Sequence, residues 1–208
     1  MRRLVLALVV LLGLAGVTAC GPSAAEQAAA DAKAKAKAED DAAKAKAREA
    51  SLAKLEQERL AALWLYQSEP AGAGKQITAA IFSTNNIDVD GKGARPVQLI
   101  FRDHPEWGRS SYLVMKGGDF NCYGSCSLDI AVDDAAPKKM AGRRPVTDAA
   151  IAMFINDWQA LWRMTAGAKT LTIEFPVKAG GTRKASFDVA GLDRSKMPKW
   201  DRPGAASK

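Results

Sequence analysis

Forty consecutive residues without a glycine or a proline, from Ala24 to Leu63, restrict this chain more than any other feature. Alanine, lysine, glutamate, aspartate, glutamine and arginine supply nearly all of them, an alphabet with high intrinsic helix propensity. A continuous helix is therefore predicted, roughly 60 Å long at about 1.5 Å per residue. Opposite charges fall at helical spacing, as in Glu56 with Arg59, although such a pair adds only tenths of a kcal/mol. Larger apolar residues come late, at Leu52, Leu55, Leu60, Leu63 and Trp64. These are too few for a heptad seam. The expectation is a solvated stalk with its last turns docked on the domain, in preference to an oligomerising coiled coil.

The alphabet changes at Trp64. Gln76 to Phe82 reads as a strand, and Pro96 to Arg102 as a second whose Val97, Leu99 and Phe101 alternate onto one face. Ser111 to Lys116 reads as a third, and a hairpin around Cys122 to Cys126 sends out a strand with Leu128, Ile130 and Val132. After Pro145, with Thr147 as its cap, Ile151, Phe154, Ile155, Trp158, Leu161 and Trp162 recur at spacings of three and four. That spacing predicts one long amphipathic helix ending at Gly167. Lys169 to Phe175 and Thr182 to Val189 then read as two more strands around Ala179-Gly180-Gly181. Strands with one inserted helix make an α+β domain over residues 64–198, a small antiparallel β-rich body covered by that helix. Residues 199–208 read as a disordered tail.

The amino terminus has its own order. Met1-Arg2-Arg3 is positive, Leu4 to Val17 is apolar or glycine throughout, and Val17-Thr18-Ala19-Cys20 closes the run with small residues and a thiol. This resembles a bacterial lipoprotein signal. The resemblance implies removal of residues 1–19, lipidation of Cys20, and residues 20–63 as the lipidated stalk. With Gly21 rather than aspartate after the cysteine, it implies the outer membrane, with the body in the periplasm. One acyl chain binds a bilayer only marginally, at about 0.8 kcal/mol per buried methylene, so three chains on one residue would anchor the protein for good.

Cys122 and Cys126 remain as an even pair, which an oxidising compartment would join. Tyr123-Gly124-Ser125 between them suits a three-residue loop, and so small a ring contributes about 2 kcal/mol. Three intervening residues are one too many for a thioredoxin-like redox site. Zinc needs about four ligands, and His104 is the one histidine in the chain. No metal or cofactor is expected.

Catalytic constellations are equally sparse. A serine triad would need His104, beside Asp103, yet no glycine-framed serine occurs. Asp133-Asp134 and Asp88-Val-Asp90-Gly91 lie at turns, where aspartate bonds its own backbone. Gly72-Ala-Gly-Lys75 lacks the spacing of a phosphate loop. From Gly21 to Leu63 the charges balance at eight of each sign, whereas Trp64 onward holds 20 basic against 15 acidic side chains. That excess favours anionic lipid or cell-wall polymer. With no basic block and no interleaved aromatics, nucleic acid is not an expected partner.

One resemblance spans the domain. Trp64-x-Tyr66, Ser83-x-Asn85, Arg102-x-His104-Pro105, Gly108, Lys116-Gly-x-x-Phe120-x-Cys122 with Cys126, and Phe187-Asp188-Val189-x-Gly191-Leu192 follow in this order. Together they are similar to a family of secreted proteins and lipoproteins of Gram-negative bacteria for which no activity is assigned, so the resemblance implies fold and compartment and no catalytic residue. The expectation is a membrane-anchored, non-catalytic module binding an envelope protein or cell-wall polymer. An envelope enzyme built on carboxylates brought together by folding is the alternative. A third idea rests on Lys208: a lipid at one end and a terminal lysine at the other resemble the small outer-membrane lipoprotein joined to peptidoglycan through its last residue.

Overall fold

The computed structural model describes residues 23–145 and 151–201, and the chain divides into two compact units between Ala50 and Ser51. Helix α1 (Ala24–Ala62) runs through both. In the first unit it starts on a capping box. The Ser23 backbone N–H donates to Glu26 Oε2 at 2.9 Å, and the Glu26 N–H returns to Ser23 Oγ at 3.4 Å. Lys44 pairs with Asp40 at 2.6 Å one turn away, and no α1 residue is buried. No described helix is long and apolar enough to cross a membrane.

The second unit is α+β, dominated by one antiparallel sheet. In chain order its strands are β1 (Trp64–Ala71), β2 (Gly74–Ile87), β3 (Arg95–His104), β4 (Gly108–Val114), β5 (Cys126–Val132), β6 (Lys138–Arg143), β7 (Ala152–Ile155), β8 (Thr170–Pro176) and β9 (Thr182–Asp188). They lie side by side as β1-β2-β3-β4-β7-β6-β5-β8-β9. β2 is twice the usual strand length, and β1 covers only its first half, Gly74 to Ile81. Its second half faces β9, where the Asn85 side chain substitutes for a strand. Asn85 Nδ2 donates to the Lys184 carbonyl at 2.8 Å and its Oδ1 accepts from the Ser186 N–H at 2.9 Å. The Thr84 hydroxyl adds a bond to the Ser186 carbonyl at 3.1 Å, so side chains of β2 tie it to β9.

Period-two alternation fills the interior. Val97, Leu99 and Phe101 on β3, Leu128 and Ile130 on β5, Leu171, Ile173 and Phe175 on β8, and Ala185 and Phe187 on β9 are all buried. The last turn of α1 closes one side: Arg59 reaches Asp188 at 3.6 Å, and a Cβ on Gly191 would land on the Leu60 backbone.

Four expectations are corrected. The long helix after Pro145 is not formed. Ala152–Ile155 is strand β7, filling the gap between β4 and β6, and only Trp158–Met164 is helical as α2. Met153 and Ile155 point inward and Phe154 outward, so the same apolar residues satisfy period two, and each strand neighbour contributes main-chain hydrogen bonds. Asp157 caps α2, accepting from the Ala160 N–H at 2.8 Å; Thr147 lies outside the described residues. Residues before Cys126 form no hairpin arm, because β5 takes β6 and β8 as neighbours. β1 and β6 are strands with no counterpart in the sequence reading. Finally, the ordered body extends past residue 198, with Trp200 only 4% exposed; residues 202–208 lie outside the described residues.

Candidate functional site

Cys20 and Lys208 lie outside the described residues. Cys122 and Cys126 are joined by a disulfide, with Cα atoms 4.9 Å apart. An ionic cluster braces this loop. Arg144, buried at the end of β6, donates to Asp119, and the Tyr123 hydroxyl donates to the other Asp119 oxygen at 2.6 Å. Burial on its own raises the Asp119 carboxyl. The bonds from Tyr123 and Arg144, the Arg144 charge and the Phe120 N–H outweigh that, so the group sits below the usual carboxylate range.

His104 is a turn residue. Its Nδ1 accepts from the backbone N–H groups of Glu106 at 3.1 Å and Trp107 at 3.2 Å, and its ring stacks on Trp107 at 3.9 Å. Nδ1 is thus engaged as an acceptor within its own turn, and Asp103 turns toward Lys199 Nζ at 3.3 Å. The turn carboxylates do not converge either. Asp88 accepts from the N–H groups of Asp90 and Gly91 within its own loop. Asp133, at φ 49°, accepts from Lys169 and Thr170, and the Thr170 N–H chiefly lowers its pKa.

What the fold does assemble is an arginine–aromatic groove on the outer face of β3, β4, β7 and β6. Arg102, Trp107, Arg109, Ser110, Arg143, Phe154, Ile155, Asn156 and Trp158 line it, enclosing about 990 Å³ including open solvent. Strand register explains the assembly. Arg102 faces Ser110, while Tyr112, Phe154 and Arg143 stand opposite one another in the next row, all on the outward parity. The Arg102 guanidinium sits 5.2 Å from the Trp107 and Tyr112 rings and 5.8 Å from Phe154, and its Nε donates to Ser110 Oγ at 3.2 Å. Arg109 lies 4.5 Å over Trp158 and donates to the Lys199 carbonyl at 2.6 Å. Burial pushes the Tyr112 hydroxyl upward in pKa, against a smaller opposing pull from Arg102.

The rings act as mounts for the guanidiniums, holding them at fixed angles in partly desolvated surroundings, where such contacts are worth about 0.5–2 kcal/mol each. No carboxylate lines the groove among the described residues. Arg102, Trp107, Arg109 and Tyr112 do interleave within one stretch of chain, a signal the sequence reading did not draw, whereas Arg143, Phe154 and Trp158 join them only through the sheet. The other available signal was the outward parity of Arg102 and Arg143 on strands whose inward positions are apolar or small.

No family model, no curated protein and no solved structure matches this chain.

Proposed function

We propose that this chain is a lipid-anchored protein of the bacterial envelope whose β-rich head is a non-catalytic binding module, with the arginine–aromatic groove as its binding face for an anionic partner. The groove carries the reading. Arg102, Arg109 and Arg143 line it, and no carboxylate does so among the described residues, so an oxyanion gains charge-assisted hydrogen bonds. The head's excess of basic side chains adds a general attraction.

The anchor rests on the order of the first 20 residues, ending in Cys20. In this reading Ala24 to Leu63 is a charge-balanced stalk between the acylated cysteine and the head. The head acts in the periplasm from the outer membrane, in keeping with the family resemblance. Radiolabelled palmitate is expected to enter the wild-type chain and not Cys20→Ser; equal labelling of both removes the anchor.

The groove is tested separately with a short polyphosphate, an oxyanion chain that is neither sugar nor peptide. At low ionic strength the full-length protein is expected to bind it. Arg143→Gln, an exposed change, should weaken binding about tenfold, the loss of one charge-assisted bond of about 1.5 kcal/mol. Lys75→Gln, on β2, should leave it unchanged. Equal affinity in all three proteins would remove the groove from the function.

A further inference from the structure

We propose that the open side of β6, facing α2, is a docking edge for an acidic extended segment of a second protein, which adds to the sheet as a further strand. The edge lies beside the arginine–aromatic groove and stands independently of it.

Sheet pairing leaves the edge bare. β5 pairs with β6 from Lys138 to Gly142, whereas β7 meets only Gly142 and Arg143. One more bond follows, from the Asn156 N–H to the Ala141 carbonyl at 2.9 Å. Asp157 then caps α2, and the chain leaves the sheet. That last bond fixes which way the backbone points. Within a strand the N–H and C=O of one residue share a side, and the side alternates from residue to residue. Ala141 points away from β5, so Lys139, two residues earlier, does the same. No described strand lies beyond it. Its N–H and C=O can both bond one residue of an added strand, and main-chain bonds are the source of affinity in this mode of recognition.

The chemistry of the opening selects the segment. About 990 Å³, including open solvent, lies between the edge and α2. Met140 and Met164 are half-buried there with Ala160, an apolar floor, while Lys138, Lys139 and Arg163 form an exposed rim. Two carboxylates are near, and both are engaged. Asp157 accepts the Ala160 N–H at 2.8 Å, and Asp129 on β5 holds Lys139 at 3.0 Å. Lys138 and Arg163 are in no ion pair among the described residues.

The rim is therefore basic. A second copy docking edge to edge would bring two such rims together, and like charges opposite one another repel. Edge lysines are how sheets avoid their own copies. They attract instead a strand that carries acids. Register sets the order of its residues. Met140 stands opposite Leu128 on the inward side, and Lys139 opposite Asp129 on the outward side. Running antiparallel to β6, as β5 and β7 do, the segment sets an apolar residue beside Met140, then acids beside Lys139 and Lys138.

The probe is the capped tetrapeptide Ile-Glu-Glu-Thr, added to the full-length protein at low ionic strength. It should bind and slow hydrogen exchange at the Lys139 amide. Ile-Gln-Gln-Thr should bind at least about fivefold more weakly. Lys138→Gln with Arg163→Gln, both exposed, should cost the acidic peptide about as much while melting at the wild-type temperature. Backbone methylation separates strand addition from charge attraction. An N-methyl on the first glutamate removes the N–H that meets Lys139 and should cost about tenfold. The same group on the second glutamate points away from β6 and should cost nothing. Equal losses at the two positions, or an unchanged Lys139 amide, would overturn the added strand. Equal affinity of the glutamine peptide would overturn the acidic partner. A Lys139 amide already protected in the free protein, with a dimer in sedimentation, would overturn the proposal in favour of a second copy.

Discussion

Arg144→Met is expected to destabilise the head by about 3–5 kcal/mol, because it leaves the shielded Asp119 carboxylate without its charge partner. The methionine fills comparable volume, so the loss reports the ion pair more than a cavity. The Arg144 guanidinium also donates to the Pro145 carbonyl at 2.8 Å, and the backbone N–H of Arg144 donates to the Cys122 carbonyl at 2.9 Å. The substitution therefore removes the side-chain bonds and leaves the backbone tie between Cys122 and the end of β6 in place. Asp119→Asn, which keeps size and some hydrogen bonding, should cost less. Denaturant unfolding followed by tryptophan fluorescence measures both. Equal, small losses in the two variants would show that the pair contributes no more than a surface one. The pH dependence has a defined sign. Asp119 is held below its ordinary value in the folded chain, so its contribution is full above about pH 4, the unfolded carboxyl pKa, and is lost as pH falls through the folded value. In Arg144→Met that acid-side decline should shrink, since the main charge partner is gone.

Some of this architecture was legible because one physical demand dominates there. Val97, Leu99 and Phe101 alternate because β3 has one buried face, and Leu128 with Ile130 follows the same rule. β6 was not legible. Lys138-Lys139-Met140-Ala141-Gly142-Arg143 has almost no apolar alternation, and Gly142 is there because a Cβ would come within 3.0 Å of the Leu128 side chain. β1 reads as a polar segment because it is an edge, carrying Glu69 and Pro70 as edge strands do. The stripe from Ile151 to Trp162 fits both periods, and only the vacancy between β4 and β6 decides for strand in its first half. The groove was hidden for a different reason. Arg102 and Arg143 come to line one groove from either side of β4 and β7 through sheet order, and sheet order is not a local property of sequence.

Phe101→Ala should cost about 3–5 kcal/mol, the usual loss for a fully buried aromatic, and should also damage a surface it does not touch. The Phe101 ring meets Trp162 edge-on at 5.2 Å and Trp200 edge-on at 5.3 Å, and stacks near Trp64 at 6.1 Å. Trp162 has a second restraint, since its indole N–H donates to Asp201 at 2.7 Å. The Trp200 indole N–H has no partner among the described residues, so packing alone places that ring. Trp200 in turn supports Trp158, and its neighbour Lys199 supplies the carbonyl that Arg109 grips. A void at Phe101 therefore loosens Trp200, and through it two residues of the groove. The milder Phe101→Leu, a smaller truncation than alanine and so a smaller cavity, keeps the protein folded and isolates this effect. It should weaken polyphosphate binding while leaving the Arg143→Gln loss intact on top of it. Unchanged affinity in Phe101→Leu, with the expected drop in stability, would show that the groove stands on the sheet alone and that the C-terminal tryptophan serves only the core.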